Sequence, residues 1–460
     1  MIAVVVSRAD SASVHVGERL LELGEWDERT DDSRSDAEGG GTYYETEGFE
    51  LREFDGLHIE LEGVAAAFSE PPEFVAFVSR HSGETGPLLT AHFTGNFGPA
   101  EYGGEEGTFA RACPNAGKAV VEAFDRHAPE GYGVGIECTH HGPTDVGAPA
   151  MFVELGSDED EWADPEGARA VARSVLDLSG VDADRERQLV GFGGGHYAPR
   201  FERIVRETDW AVGHVGADWP LDAMGSPESE DNREVIRRAF EASGAEYAVV
   251  DGDRPALVEA VESLGYRVVT ETWTRETAGV SLARLDELEA TLSSVEDGLR
   301  LGADASGEDG ADDAGGATTE SDPAPDDYVV VSLPDDLLSE AAGIDLDAAR
   351  EAVSANAVAF ETREGGTKAA GRAALVDEAR YDDIVDSLVA VLAEKYDEVR
   401  REETAVVAVR ESFDAAAAAE LGVPEGPAFG KLSAGRSVEL DDREVTPDEV
   451  LSEEKVIFRI

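Results

Sequence analysis

The stretch Gln188-Leu189-Val190-Gly191-Phe192-Gly193-Gly194-Gly195-His196-Tyr197-Ala198-Pro199 decides the fold class. Its first half is a short apolar run that reads as a buried strand. Three glycines end the run, and Pro199 sits where prolines favour the first turn of a helix. The same strand-to-helix step recurs on both sides. Strands are predicted over 2–6, 74–79, 88–93, 133–138, 151–155, 210–215, 247–250 and 266–272. Helices are predicted over 11–24, 114–124, 157–175, 233–242 and 255–264. Such alternation specifies a layered α/β fold with a largely parallel central sheet. Sites in these folds gather in loops beyond the carboxyl ends of strands. The acidic, Gly-rich segment 27–41 reads as an exposed insertion loop.

At 460 residues the chain is long enough for more than one domain. Between 296 and 327 Asp, Gly, Ala, Ser, Thr and Pro dominate, with only Leu299 and Leu301 large and apolar. This is the composition of an acidic, disordered linker. It divides a catalytic domain, 1–290, from a smaller accessory α+β domain, 328–460. The formal net charge is -62, from 100 Asp+Glu against 38 Lys+Arg. Lysine is confined to Lys118, Lys368, Lys395, Lys431 and Lys455. The apolar fraction is still 42%, so the acid excess does not signify global disorder. Acid spread along a foldable, lysine-poor chain fits work in concentrated salt, where the Debye length falls to about 3 Å at 1 M. In dilute salt such a chain repels nucleic acid; in molar salt local arginines can still meet phosphates. Cys113 and Cys138 make neither a disulfide framework nor a Cys-rich zinc site. No apolar run has the length of a membrane span, and the N-terminus lacks the charged flank of a signal peptide. The expectation is a soluble, cytoplasmic monomer without a stable protein partner.

The chemistry concentrates in histidine, of which the chain has 9. His140 and His141 are adjacent in Glu137-Cys138-Thr139-His140-His141-Gly142-Pro143, at the end of a predicted strand. Two readings stand: metal ligation or general-base work by one or both, or a strand cap with one ring in and one out. His92 and Asn96 bracket Thr94-Gly95, offering a base or ligand and an amide, or only a self-bonded turn. His196 ends the triple-glycine loop, whose free N–H groups suit an anion at a helix start. That loop is neither a phosphate-binding P-loop nor a dinucleotide fingerprint. Arg200, Arg203 and Arg206 recur on the next helix, facing phosphates or paired with neighbouring acids. His81 also follows a strand and can join the pocket. His15, His58, His127 and His214 read as structural or surface residues, and Cys138 as a small buried hydrophobe.

At these residues the sequence resembles the archaeal and plant type of D-aminoacyl-tRNA deacylase, in a haloarchaeal version with a C-terminal extension. The likeness rests on Ser79-Arg80-His81, Leu89-Thr90-Ala91-His92-Phe93-Thr94-Gly95-Asn96, Glu137 to Thr144, Phe152-Val153-Glu154-Leu155-Gly156-Ser157, and Gly191 to Arg200. It covers about residues 1–275. The resemblance implies a fold like those of peptidyl-tRNA hydrolases and nucleoside phosphorylases. It implies hydrolysis of the ester between a D-amino acid and the 3′ end of tRNA, with Zn2+ as cofactor. Expected catalytic residues are then His92, Asn96, His140, His141 and His196. Expected substrate contacts are His81, Thr94, Gly95, Thr139, Gly193, Gly194, Gly195 and Arg200, with backbone N–H groups near Gly194 and Gly195 meeting the oxyanion. His140, His141, His196 and Glu137 are the expected metal ligands, and Glu137 or Glu154 can ligate metal or orient a histidine. Another metal-dependent hydrolase, a nucleoside phosphorylase and a non-catalytic tRNA-binding module are the alternatives.

Overall fold

The computed structural model describes residues 1–305, 328–440 and 443–460, so 306–327 of the predicted linker lie outside the described residues. The chain divides into two compact units, Met1–Ala278 and Gly279–Ile460.

The first unit is built on two sheets. The larger has eight strands, in the order Asp27–Asp31, Gly41–Thr46, Phe49–Phe54, Ile2–Ser7, Phe74–Arg80, Ala150–Gly156, Leu88–His92 and Gly133–Ile136. Its middle, from Phe49–Phe54 to Ala150–Gly156, is parallel. Ile2–Ser7 and Ala150–Gly156 are buried along their whole length, as strands covered on both faces must be. Leu88–His92 runs antiparallel to Ala150–Gly156 and parallel to Gly133–Ile136. The smaller sheet is wholly parallel, in the order Ala211–Gly216, Gln188–Phe192, Tyr247–Val250 and Arg267–Val269. The architecture is therefore α/β with a largely parallel sheet, but the strands read as one sheet are shared between two.

Helices pack on these sheets with definite starts. Asp10 caps Ser11–Leu23, accepting from the N–H groups of Ala12 and Ser13, and Pro114 and Pro165 each open a helix. The segment 27–41 is not a plain loop: Asp27–Asp31 pairs antiparallel with Gly41–Thr46. Its polar residues face solvent because this hairpin is a sheet edge, where charge blocks further strand pairing.

The second unit holds an antiparallel sheet in the order Leu299–Leu301, Ala359–Arg363, Lys368–Leu375 and Val329–Ser332. Helices Asp335–Ile344, Leu346–Ser354 and Ala379–Leu392 supply its core with Leu337, Leu338, Val353, Ile384 and Leu388. The predicted linker starts too early. Leu299 is buried, and its strand pairs with Ala359–Arg363. Helix Leu282–Thr291 also belongs to this unit, since Arg372 donates to the carbonyls of Thr291 and Leu292. No helix among the described residues is long and apolar enough to cross a membrane.

Candidate active site

Sheet register places the first group of side chains. Glu154 lies opposite Ser79 on one neighbouring strand, and Phe152 lies opposite His92 on the other. Ser79 Oγ donates to Glu154 Oε1 at 2.8 Å. Alternation brings His81 to the same face as Ser79. Its Nδ1 is 3.1 Å from Glu137 Oε1 and 3.6 Å from Glu154 Oε2. The His92 ring stacks on Phe152 with centroids 5.1 Å apart, and its Nε2 is 3.7 Å from Glu154 Oε1.

Beyond Gly133–Ile136 the chain passes from the larger sheet to the smaller. The Glu137 N–H donates to Ala91 O at 3.1 Å, Cys138 N–H to His196 O at 2.7 Å and Thr139 N–H to Val215 O at 2.8 Å. His141 then takes φ 46°, a left-handed conformation uncommon for any residue with a side chain. This turn cancels strand alternation, so the histidine pair does not split in and out. The rings of His140 and His141 are 4.4 Å apart. His140 also lies 4.3 Å from His92 and 4.9 Å from His196.

The glycine loop holds His196. Gly193 has φ 92°, and a Cβ there would lie 2.1 Å from Asp251 O, so only glycine fits. His196 Nε2 is 2.7 Å from Glu137 Oε2, and its Nδ1 is 3.5 Å from Cys138 Sγ. The Tyr197 hydroxyl lies 3.2 Å from His81 Nε2. His81, His92, His140, His141, His196, Glu137 and Glu154 thus form one continuous cluster.

Several predicted site residues are engaged elsewhere. The Asn96 amide donates to Gly103 O and Glu105 O, at 3.1 and 3.3 Å, and so holds a loop. Thr94 Oγ1 donates to Pro143 O at 2.7 Å. The Gly95 N–H donates to His141 O at 2.9 Å, fixing the turn. Thr139 Oγ1 accepts from Val215 N–H and bonds His214 Nδ1, at 2.9 and 3.1 Å. The Gly193 N–H donates to Gly216 O and the Gly194 N–H to Asp218 Oδ1, at 2.7 and 3.0 Å, so of the two expected oxyanion donors the Gly194 N–H is already engaged. Gly195 is exposed, with open space where a side chain would lie. Arg200 Nε is 3.4 Å from Asp251 and 3.5 Å from Glu271, so it is acid-paired.

Sequence reasoning missed Ser79 and Tyr197, gave Glu154 a ligating or orienting role and read Cys138 as inert packing. A usable signal existed for Glu154: an acid inside a seven-residue, fully buried strand. Cys138 is buried as expected, but against His196.

Electrostatics divides the cluster. Burial pulls the His81 pKa down, but Glu137 and Glu154 outweigh it and raise it to about 9. Cys138 and Glu137 raise His196 to about 10. Burial works to raise Glu137, yet His196 and His81 hold it well below the usual carboxylate range. Burial, with His92 nearby, lowers His140 to about 4, and burial with His140 and His92 pushes His141 well below its usual value. One end is thus a carboxylate-imidazolium assembly and the other a pair of neutral imidazoles.

The neutral end fits a metal ion. Nδ1 of His140 is 2.8 Å from Cys138 O, that of His141 is 2.6 Å from Gly142 O and that of His92 is 3.2 Å from Phe93 O. These carbonyls fix the proton on Nδ1 and leave Nε2 as a lone-pair donor. One donor atom from each of the three lies within 4.8 Å of the others. His92 Nε2 is buried and has no hydrogen-bond partner among the described residues. Burial lowers the His92 pKa, but Glu154 and Glu137 outweigh it and raise it, so His92 links the two ends. Its orphaned Nε2 beside two neutral imidazoles gives a donor set that could hold a metal ion. Of the expected ligands, His196 and Glu137 bond each other, while His140 and His141 lie in one close donor group with His92. Cys138-His140-His196 and His81-Glu137-Glu154 are further close groups.

Comparison with known proteins gives this cluster its context. A protein of Halorubrum lacusprofundi named D-aminoacyl-tRNA deacylase is 54% identical over 496 residues, covering 100% of this chain and 97% of that one. One of the same name from Natronomonas pharaonis is 55% identical, covering 98% of each chain. This chain belongs to the D-aminoacyl-tRNA deacylase family. The family model for D-aminoacyl-tRNA deacylase matches residues 68–269, which contain every residue of the cluster. A family member from Methanoregula boonei is 33% identical over 98% of this chain. Because these deacylases align along nearly the whole chain, the likeness extends past 275 and includes the second unit. A crystal structure of a conserved protein of unknown function matches with TM-score 0.54 and 28% identity, covering 60% of this chain and 98% of that one.

Proposed function

We propose that this protein hydrolyses the ester joining a D-amino acid to the 3′ end of tRNA, releasing both, with a zinc ion on His92, His140 and His141. What carries the reading is a family membership spanning the chain, joined to a cluster whose two ends are electrostatically opposite. A zinc ion held by His92, His140 and His141 would supply Lewis-acid chemistry there, activating water near neutral pH and polarising a carbonyl oxygen.

The chain's own residues divide the remaining work. His140 and His141 stay neutral, so their Nε2 lone pairs remain available at working pH. Glu137 ion-pairs with His81 and hydrogen-bonds His196, and with Glu154 and Cys138 it keeps the two imidazoles protonated. The Tyr197 hydroxyl, backed by the His81 imidazolium, donates toward the developing oxyanion or the departing ribose oxygen. Partial burial and Glu137 raise the Tyr197 pKa, so it remains a phenol donor. Water adds to the carbonyl carbon, the ester C–O bond breaks, and the ribose oxygen leaves with a proton. The acidic surface suits this work to molar salt.

The test is release from D-tyrosyl-tRNA against L-tyrosyl-tRNA in molar KCl, with and without chelator. D-selective release that fails on chelation and returns with Zn2+ is expected. No D-selective release overturns the function. Release that survives verified metal removal overturns the zinc and leaves the function.

A further inference from the structure

The first unit exposes few large apolar side chains: among its described residues these are Leu23, Tyr102, Tyr197 and Trp219. Three of them are aromatic, and each is fastened to a segment that builds the histidine cluster. Tyr197 follows His196 directly and is part of the chemistry above. Tyr102, 67% exposed, accepts the Gly142 N–H on its carbonyl at 3.0 Å, next to His141. Its loop is held by Asn96, whose amide donates to Gly103 O at 3.1 Å. Trp219, 54% exposed, follows Asp218, which exchanges two hydrogen bonds with Gly194 at 2.9 and 3.0 Å. Two solvent-facing rings are thus anchored, through short backbone links, to the His140–His141 turn and the His196 loop.

The charge around them does not suit a polyanion. Arg254 pairs with Asp218 at 2.7 Å and Asp222 at 3.5 Å. Arg203 pairs with Glu271 at 3.0 Å, and Arg206 with Asp125 at 2.7 Å. With Arg200 already paired, these guanidiniums are neutralised, in a chain of net charge -62. Phosphate contacts lose strength steeply with salt, whereas base-aromatic stacking is worth about 1–3 kcal/mol per base without needing charge. Single-stranded RNA ends are recognised by unstacked bases laid on aromatic faces.

We infer that Tyr102 and Trp219 are stacking platforms for the unpaired 3′-terminal bases of the tRNA substrate, so that recognition at this rim is aromatic rather than ionic. This rests on the function proposed above. Neither ring takes part in the chemistry; both position the strand whose end carries the ester. Exposed rings persist here because the bound base buries them.

The experiment uses the full chain in KCl from 0.5 to 2 M, with Tyr102→Ala, Trp219→Ala, the double variant, and Tyr102→Phe and Trp219→Phe. Steady-state kinetics are read on D-tyrosyl-tRNA and on D-tyrosine methyl ester. Binding of a short single-stranded RNA ending in CCA is read by fluorescence anisotropy. Each alanine variant is expected to raise KM for the tRNA ester roughly five- to hundredfold. The kcat, and turnover of the methyl ester, should stay within about twofold of wild type. The phenylalanine variants should keep most of the affinity, and RNA binding should change little across the salt range. Wild-type KM and RNA binding in the double variant would overturn the inference. So would RNA affinity that collapses with salt as phosphate contacts do. If the wild type binds the RNA through these rings yet releases no D-tyrosine, the surface stands and the hydrolase reading falls.

Discussion

The two ends of the cluster use the same side chain to opposite effect. His81 lies against Glu137 and Glu154, and His196 against Cys138 and Glu137, and these neighbours raise their pKa values to about 9 and about 10. His140 and His141, a few ångströms away, are kept neutral by burial and neighbouring imidazoles, although Glu137 comes within 3.8 Å of His140. The difference shows that the surroundings, not the histidines, assign the roles. Imidazole supplies a lone pair or a proton according to which oxygen faces its other nitrogen.

The sharpest way to break this comparison is His141→Ala. It should lower D-tyrosyl-tRNA turnover by about 10³-fold or more and reduce the zinc measured per chain. Unfolding should stay cooperative. Full activity with full zinc content would remove His141 from the neutral end. Glu137→Gln attacks the other end: it removes the one carboxylate that helps hold both His81 and His196 protonated. Turnover should fall by about 10²-fold. The imidazole NMR titrations of His81 and His196 should move below pH 8, and unmoved titrations would show that Glu137 is not their anchor. Tyr197→Phe tests the link from His81 to the pocket mouth, and kcat should fall by about ten- to hundredfold with KM little changed.

The smallest effect is on stability. Burial lowers His58 and His214 to about 4, against ~6.5 for an unfolded chain. Both are neutral when folded, so the unfolded chain binds more protons between pH 4 and 6.5. Their contribution is complete above pH 6.5 and is lost as pH falls toward 4, by about 1–3 kcal/mol each. His81 and His196 have the opposite sign. Their contribution is complete below pH 6.5 and is lost as pH rises toward 9 and 10. Metal-free protein in molar KCl should therefore be most stable near neutrality. His214→Gln should flatten the acid limb between pH 6.5 and 4, and Glu137→Gln the alkaline limb above pH 6.5, as read by thermal unfolding. Acid limbs of equal steepness in wild type and His214→Gln would remove His214 from this account.

Much of this was legible in the sequence because rare residues stood in revealing company. His92, His140, His141 and His196 are histidines beside glycine turns in a histidine-poor chain, and the structure gathers all of them. Ser79 and Glu154 were harder to read, since only strand register makes them neighbours. The glycine-loop N–H groups looked free because their partners, Gly216 and Asp218, belong to a distant stretch. Arg200 was a phosphate candidate until the fold brought Asp251 and Glu271 beside it. Leu299 was hidden by its acidic surroundings, although a single buried leucine was enough to start a strand.

The passage of residues 137–139 from one sheet to the other has a consequence for how this chemistry is inherited. His81, His92 and the His140–His141 pair come with the larger sheet, and His196 and Tyr197 come with the smaller. Neither sheet is a module that could be lent to another protein with its activity intact. A break anywhere between Asp177 and Arg187 would leave two pieces, each with an incomplete set of proton-handling groups. The reaction belongs to the seam, and the seam exists only while the first unit is whole.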